Sequence, residues 1–433
     1  MNALPSTSST RIAEIGFVAL LLLMFVTLHP FVPPPHLAEI GNIHQQAGGD
    51  GLRQVCYLAA FFLVLAGAFA DRRTVAFQAV PLLLALLLAW CIASSLWAEE
   101  SGVVFRRAVL ATIVTLSTLI SVETLGYERA FRLLRIVLVC ILVVNWLSIP
   151  LIHTAVHLSD ETDQGLVGNW RGLYSQKNTA GAICAMTILL FLFQNPDTRK
   201  QSDIFVILGA AGFLVMTHSK TSLGLLPIAA VAGGIYRVAW RKGIDRAIAL
   251  CIAAAVLLLA GIFVWLNIDW LARLVEDPRE FTGRAEIWQA DFAYIHDHFL
   301  RGAGFGTVAG TDGPSFLRNY ISDAWVLAIG DSHNGYLQVF VELGVIGFTL
   351  AMLALIVQPL WYFLSLEDAD MAKAGLFALF VFIALHDFTE SDFLESDNTA
   401  WFVFLLVIAE LSQRNRRLSF LPIPAGTARQ PSA

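Results

Sequence analysis

The chain has 433 residues, of which 57% are hydrophobic and 14% charged, with a formal net charge of −6 and a mean hydropathy of +0.67. An ordinary soluble domain is excluded, because about a quarter of the residues in that class are charged. The apolar residues form long runs without alternating polar residues, which also excludes a membrane β-barrel. We therefore expect an all-α fold, a polytopic bundle of membrane-spanning helices.

Hydropathy predicts about twelve transmembrane helices, because the hydrocarbon core requires about 20 apolar residues for each helix. The sixth, seventh and last apolar runs are short, so the count stays open by about one or two helices. The predicted cores, in chain order, are Ala13–Val32, Val55–Ala70, Ala79–Ala98, Val103–Val122, Leu133–Ile152, Thr179–Phe193, Ile204–Thr217, Leu223–Trp240, Ala247–Leu266, Tyr336–Leu364, Ala372–Phe388 and Trp401–Leu411.

The distribution of basic residues predicts the orientation in the membrane. With the N-terminus in the cytoplasm, 17 of the 28 Lys and Arg residues fall on short cytoplasmic segments, including the stretch Arg414–Arg417. This bias follows the positive-inside rule, so we expect a membrane protein of an inner-membrane type with both termini in the cytoplasm. The predicted divisions are a cytoplasmic tail over residues 1–12, a membrane domain over 13–411 and a disordered cytoplasmic tail over 412–433.

Two periplasmic loops, residues 153–178 and 267–332, are longer than simple connections require, and loops of that length are often functional. In the second loop, Thr282 is predicted to cap a helix that ends before Gly302. An apolar stripe on this helix would lie on the membrane surface or on the bundle. The stripe consists of Trp288, Phe292, Ile295 and Phe299.

Arg284 stands in the first turn of this predicted helix, where the helix dipole disfavours a cation by about 0.3–1 kcal/mol. A bound anion would remove that cost, because helix N-termini bind anions through free N–H groups. The alternative is an arginine whose apolar stem covers Trp288 while its charged head reaches water.

Three motifs occur in order along the chain. The first is Trp170-Arg171-Gly172, followed by Lys177-Asn178 and Gly181. The second is Thr282-Gly283-Arg284, with Ile287-Trp288 and then Gly302-Ala303-Gly304-Phe305-Gly306. The third is Ser332-His333-Asn334-Gly335, followed by Glu342-Leu343-Gly344. Together with the long second loop they resemble the superfamily of O-antigen ligases and Wzy-type polymerases, most closely its exopolysaccharide polymerase branch. The motifs cover about residues 160–350.

The resemblance implies a GT-C-type membrane glycosyltransferase. Its donor would be a glycan on undecaprenyl diphosphate at the periplasmic face, and its acceptor a growing glycan or a lipid. Neither a nucleotide sugar nor any metal or other cofactor is expected. The expected partners are these substrates and membrane lipids, with other polysaccharide assembly and export proteins as further candidates; nucleic acid is not expected.

The resemblance places diphosphate-binding arginines at Arg284 and Arg171. Arginine suits this role, because its planar fork binds phosphate oxygens in pairs and stays charged. His333 matches the position of a histidine that acts as a general base or holds the diphosphate. The pKa of histidine lies near working pH, so both roles stay open. As an alternative, residues 331–334 are typical of a helix N-terminus rich in capping residues.

Further candidates for substrate binding are Lys177, Lys220, Arg301, Asn334 and Glu342. Lys220 lies in a short periplasmic turn, where a positive charge has no topological use. Arg301 is equally explained as a charge at a helix C-terminus. Asn334 belongs to the His-Asn motif, and Glu342 is an intramembrane carboxylate of the kind that faces a protein interior or a wet cavity.

Three other interpretations accompany these assignments. An acidic cluster from His386 to Asp397 is predicted to be a solvated loop, with a cover over the acceptor site as the alternative. The glycine-rich run from Gly302 to Gly306 lacks the strand and spacing of a nucleotide-binding loop. For the whole chain, we expect a polymerase of lipid-linked repeat units. The alternatives are an O-antigen ligase that joins polysaccharide to lipid A–core, and a multi-helix transporter or lipid-glycan flippase.

Overall fold

The computed structural model describes residues 8–32, 51–70, 79–158, 164–239, 284–308, 320, 331–366 and 368–419. Within these ranges the chain is helical, apart from one isolated antiparallel bridge between Val156 and Trp170. The main helices are α1 (Ser8–Phe25), α2 (Gly51–Ala70), α3 (Leu82–Ala93), α4 (Ser101–Leu125), α5 (Tyr127–Leu151), α6 (Lys177–Leu192), α7 (Asp203–Thr217), α8 (Lys220–Ala239), α9 (Arg284–Asp297), α10 (Gly335–Ala351), α11 (Gln358–Ser365), α12 (Met371–His386) and α13 (Thr399–Ser419).

The prediction of an all-α, polytopic membrane protein is confirmed. Helices α2, α4, α5 and α8 are each long and apolar enough to cross a membrane, as is the continuous stretch Gly335–Ser365. That stretch joins α10 to α11 through a π-helical segment, Met352–Val357, and bends at Gly344, whose φ is +63°. The predicted span Ala247–Leu266 lies outside the described residues.

Two of the three short predicted spans, now α6 and α13, occupy the centre of the bundle. All residues from 180 to 191 in α6 and from 400 to 411 in α13 are buried. In α13, Phe402 contacts the rings of Phe17 and Phe25 in α1, and Phe404 stacks on Phe380 of α12. Because protein surrounds these helices, their apolar length does not have to match the hydrocarbon thickness.

Side chains on the outer helices present a large apolar surface. Phe62 of α2 is 62% exposed, Leu147 of α5 56% and Phe205 of α7 72%. A soluble protein rarely exposes so many large apolar groups together, whereas lipid tails are their natural surroundings.

The helix ends define two opposite ends of the bundle. At the first end, which we call the His333 end, α6 and α10 begin and α12 terminates. At the second, the Arg414 end, Arg129 of α5 pairs with Glu14 of α1, and Arg416 of α13 pairs with Glu123 of α4. Helix α6 has 16 residues, so the two ends are separated by about 24 Å along its axis.

Helix α9 packs against α10 at the His333 end. The predicted cap Thr282 lies outside the described residues, but a last turn does reach Gly302, whose N–H donates to the His298 carbonyl at 3.2 Å. The predicted apolar stripe is only partly buried. Ile295 is 8% exposed, whereas Phe292 and Phe299 are 56% and 51% exposed. The buried face of α9 is centred on Asp291 and Ile295 and packs toward α10, so these two rings lie outside it.

The crossing of α1 and α2 depends on a glycine. A Cβ added at Gly67 would lie 2.6 Å from the backbone nitrogen of Ala13, so the two helix backbones meet directly. Gly67→Ala should therefore lower the free energy of unfolding by about 1–3 kcal/mol through overpacking. In the matched control Gly234→Ala, the added Cβ meets nothing within 4 Å, so helix propensity should keep or raise stability. Thermal melting in detergent measures both; equal melting temperatures would contradict this packing.

Candidate functional site: a cation cluster around Glu390

The site begins where the chain enters α10. Asn334 caps the helix, its side-chain oxygen accepting from the Leu337 N–H at 3.1 Å. The preceding residue, His333, has a left-handed φ of +46°, which is uncommon for a residue other than glycine. The carboxylate of Asp331 holds this turn by accepting from the His333 N–H at 2.7 Å. The backbone is thus held in a strained conformation of a kind that clusters at functional sites.

Glu390 joins three elements that are distant in sequence. Its Oε1 atom accepts from Nη2 of Arg284 at 3.0 Å and from Nδ2 of Asn178 at 2.7 Å. Its Oε2 atom lies 3.8 Å from Nδ1 of His333, and Oδ1 of Asp331 lies 3.1 Å from the same nitrogen. One carboxylate therefore lies between α9, the start of α6 and the start of α10.

The loop that carries Glu390 is itself a buried polar structure. The backbone N–H of Gly335 donates to the carbonyl oxygens of Asp387 and Glu390, at 2.8 and 3.0 Å. A Cβ at Gly335 would lie 2.0 Å from Oδ1 of Asp387, so glycine is required there. Behind this contact, Nδ1 of His386 lies 2.6 Å from Oδ2 of Asp392.

This arrangement corrects the prediction of a solvated acidic loop from His386 to Asp397. His386, Asp387 and Asp392 are at most 3% exposed. Backbone N–H groups of residues 392 and 393 donate to Oδ1 of Asp387, and the Asn398 amide donates to Asp392. Such internal donors replace water, so the acidic side chains can be buried.

The charges at the cluster stabilise one another. Burial alone would raise the pKa of Glu390, but contacts with His333 and Arg284 lower it to about 2. For His333, burial opposes protonation, yet the carboxylates of Asp331 and Glu390 outweigh it and raise the pKa above 6.5. An opposite charge within a few ångströms favours the charged form. The site therefore holds an ionised Glu390 between a guanidinium and an imidazole whose charged form the two carboxylates favour.

Both cations keep donors for another anion. Arg284 is fixed through Nη2, and no other hydrogen bond of its guanidinium is formed within the described residues. The two carboxylates approach His333 at Nδ1, which leaves Nε2 on the far side of a ring that is 30% exposed. The arrangement can therefore bind an anion whose oxygens contact the open edge of Arg284 and Nε2 of His333.

The other motif arginine, Arg171, has a different environment. It is fully buried, and its Nε and Nη1 atoms donate to the carbonyl oxygens of Thr154 and Ser175 at 2.7 and 3.1 Å. Arg171 thereby connects two parts of the loop that precedes α6, and the second of these, Ser175, lies two residues before Lys177. A direct contact between Arg171 and a substrate stays a prediction.

The two candidate lysines lie at neighbouring helix starts. Lys177 is the first residue of α6, and its Nζ atom donates to the His218 carbonyl at 3.4 Å. Lys220 is the first residue of α8 and is exposed. Both are therefore on the His333 end, where α6 and α8 begin close to the Glu390 loop, which touches Thr221 through Thr389.

Glu342 and the glycine-rich run form one structural unit. The Glu342 carboxylate accepts from the N–H groups of Gly306 and Val308, at 2.7 and 3.2 Å. The run therefore closes onto α10 at its bend. Arg301, at the start of the run, is exposed, and its guanidinium lies 6.0 Å from the ring of Trp97. In this structure Glu342 holds a loop, and its role toward a substrate stays a prediction.

Three polar residues of this region were not among the site residues predicted from the sequence. Asn178 stands in the first motif, directly after Lys177, so the motif itself could have indicated it. Glu390 belongs to the acidic cluster, but only the fold shows that it meets Arg284. Asp291 lies two turns after Arg284, on the same side of α9, fully buried next to the Ser332 hydroxyl.

Burial raises the pKa of Asp291 to about 7 from its ordinary 3.8, with smaller contributions from Asp331 and Glu342. The folded protein therefore binds this proton more tightly than the unfolded chain, and stability falls as the pH rises from about 4 to about 7. Asp291→Asn should remove this loss, so that the variant is more stable than the wild type at pH 8 by roughly 2–4 kcal/mol.

Thermal melting of both proteins in detergent at pH 5 and pH 8 checks this expectation. The stability advantage of Asp291→Asn should grow between the two pH values. An advantage that is the same at both would show that Asp291 is ionised at an ordinary pKa.

The fold and the cluster define a class: a polytopic helical membrane protein with a cation cluster around a carboxylate at one end of its bundle. Residues 204–352, about a third of the chain, match the family model described as O-antigen ligase. This match contains Arg284, His333 and Glu342, and it supports the resemblance of the chain to the superfamily of O-antigen ligases and Wzy polymerases. No curated protein matches the sequence at a significant level. The match supports a role as a membrane polysaccharide polymerase or ligase.

Proposed function

We propose that the protein transfers a glycan from undecaprenyl diphosphate to the hydroxyl group of a growing glycan, and so polymerises repeat units of an exopolysaccharide or O-antigen. The observation that carries this proposal is the joint contact of Arg284 and His333 with Glu390, with donors of both cations left open. A diphosphate needs several charge-assisted hydrogen bonds of this kind.

In the proposed reaction the bond between the sugar carbon and the diphosphate oxygen breaks, and the electron pair stays on the diphosphate. The acceptor oxygen forms the new glycosidic bond and loses its proton to the surrounding water. Arg284 and Nε2–H of His333 would neutralise the charge that grows on the departing oxygen, which is where preorganised donors act most strongly. No divalent metal ion is then required for this step.

The electrostatics favour one of the two roles left open for His333. A general base must be unprotonated, whereas Asp331 and Glu390 raise the pKa of His333 and so favour its charged form. We therefore assign His333 to diphosphate binding. Arg171 and Lys177 would support the donor from the loop before α6.

The proposed orientation follows from the two ends of the bundle. Arg129, Arg416 and their neighbours lie at the Arg414 end, which the positive-inside rule assigns to the cytoplasm. The cluster around Glu390 would then face the periplasm of a bacterial inner membrane, where a lipid-linked glycan is presented after translocation.

The choice of acceptor has two candidates. The motifs from Trp170 to Gly181 and from Thr282 to Trp288 favour a polymerase, whereas the name of the matching family favours a ligase that acts on lipid A–core. Loss of the gene separates the two. Single repeat units should accumulate on the lipid carrier in the first case, and complete long chains should accumulate there in the second.

Arg284→Ala and His333→Ala should each lower glycan transfer by at least about 100-fold, since removing one donor to a developing oxyanion costs about 3–4 kcal/mol. The matched control is Arg132→Ala, which removes an exposed arginine of α5 near the Arg414 end. The measurement is the size distribution of polysaccharide and of lipid-linked intermediates, with protein abundance checked by immunoblot.

Normal polysaccharide in both site variants at normal abundance would contradict the proposed catalytic role. A transporter is tested separately with purified protein and a synthetic lipid-linked glycan, in the presence of a chelator and without nucleotide. Glycan transfer under these conditions would support an enzyme, and movement of the lipid without transfer would support a flippase.

A further inference from the structure

A polar cavity lies at the Arg414 end, away from the cation cluster. It has a volume of about 270 Å³ and lies between the ends of α5, α6, α8, α12 and α13. Because α6 begins beside Glu390 and ends at this cavity, about 24 Å of helix separates the two places. The cavity therefore takes no part in the proposed transfer reaction.

Two arginines in the cavity wall have no partner among the described residues. Arg135 of α5 and Arg237 of α8 are both half-buried, and neither guanidinium forms a hydrogen bond or ion pair within the part of the chain that the structure describes. Half-buried cations without counter-charges are unfavourable. A third arginine of the wall, Arg414, does have partners. Its Nε atom donates to the Glu410 carboxylate, and its guanidinium lies 5.4 Å from the centre of the Tyr127 ring.

The acidic residues of the wall do not neutralise this pair. Asp370 caps α12 by accepting from the Lys373 N–H at 2.8 Å, and it lies 3.8 Å from Nζ of Lys373. Glu128 is exposed to solvent. The wall thus presents two available guanidinium groups, and a planar guanidinium pairs best with carboxylate or phosphate oxygens.

The rest of the wall narrows the chemistry of the anion. Gln194 donates its amide to the Thr198 carbonyl at 3.1 Å, while its Oε1 atom is buried without a donor among the described residues. That oxygen suits a hydroxyl group on the ligand. Phe131, Leu190 and Leu379 line the apolar part of the wall. The wall therefore fits a ligand that has an anionic group, a hydroxyl group and an apolar part. A phosphate ester of a polyol has these features.

We propose that this cavity binds a phosphate-bearing anion through Arg135 and Arg237. Two sources share that chemistry, a soluble polyol phosphate and the head group of an anionic phospholipid such as phosphatidylglycerol. The apolar wall and the position at the cytoplasmic leaflet, which is rich in anionic lipids, both suit the lipid source.

The experiment compares the intact protein in nanodiscs of phosphatidylcholine alone, in the same discs with added phosphatidylglycerol, and in phosphatidylcholine discs with soluble glycerol 3-phosphate. Phosphatidylglycerol should raise the melting temperature by about 3–6 °C, because a ligand that binds only the folded state stabilises it. The variant R135Q/R237Q should require at least tenfold more of this lipid. The control R132Q removes an exposed arginine one turn away on α5 that does not line the cavity.

Each outcome decides a part of the proposal. A rise with glycerol 3-phosphate that disappears in R135Q/R237Q supports the site and assigns it to a soluble anion. Equal stabilisation of wild type and R135Q/R237Q overturns the site. If the variant does not fold, the wild type alone still tests the proposal, since melting temperatures that are the same in all three preparations overturn it.

Discussion

The ion pair between Glu390 and Arg284 is the interaction on which the arrangement of the site depends. It connects α9, which belongs to a long loop, to the end of α12, which is anchored in the bundle core. The same carboxylate receives Asn178 from α6 and raises the pKa of His333. A single ionised side chain thereby sets both the position and the charge of the groups that would meet a diphosphate.

A buried carboxylate is useful in this way only if its surroundings are rigid. The loop from residue 386 to 395 meets that requirement, because it bonds to the first turn of α10 through Gly335 and to itself through Asp387 and Asp392. Partial burial also strengthens each charge interaction at the site, since water screens it less. An incoming diphosphate would find its donors already oriented, which lowers the cost of reorganisation during the reaction.

Much of the fold follows from the sequence, and less of the site does. Apolar runs of about 20 residues predicted the spans, because lipid demands that backbone groups be satisfied within helices. Periodicity did not predict the exposed Phe292 and Phe299, whose orientation depends on how α9 docks on α10. Motif order brought Arg284 and His333 together as candidates. Their meeting with Glu390 needed the fold, since no local pattern separates a buried carboxylate from a solvated one.

The most direct test of this account is the affinity of the purified protein for undecaprenyl diphosphate in nanodiscs, measured between pH 5.5 and 9. Binding by wild type should exceed that of His333→Gln by at least about tenfold at low pH, one charged hydrogen bond being worth about 1.5–3 kcal/mol. The excess should vanish as the pH rises through the elevated pKa of His333, because the imidazolium then loses its proton. An excess that does not change with pH, or equal affinities throughout, would contradict the claim that Glu390 and Asp331 hold a charged histidine for the diphosphate.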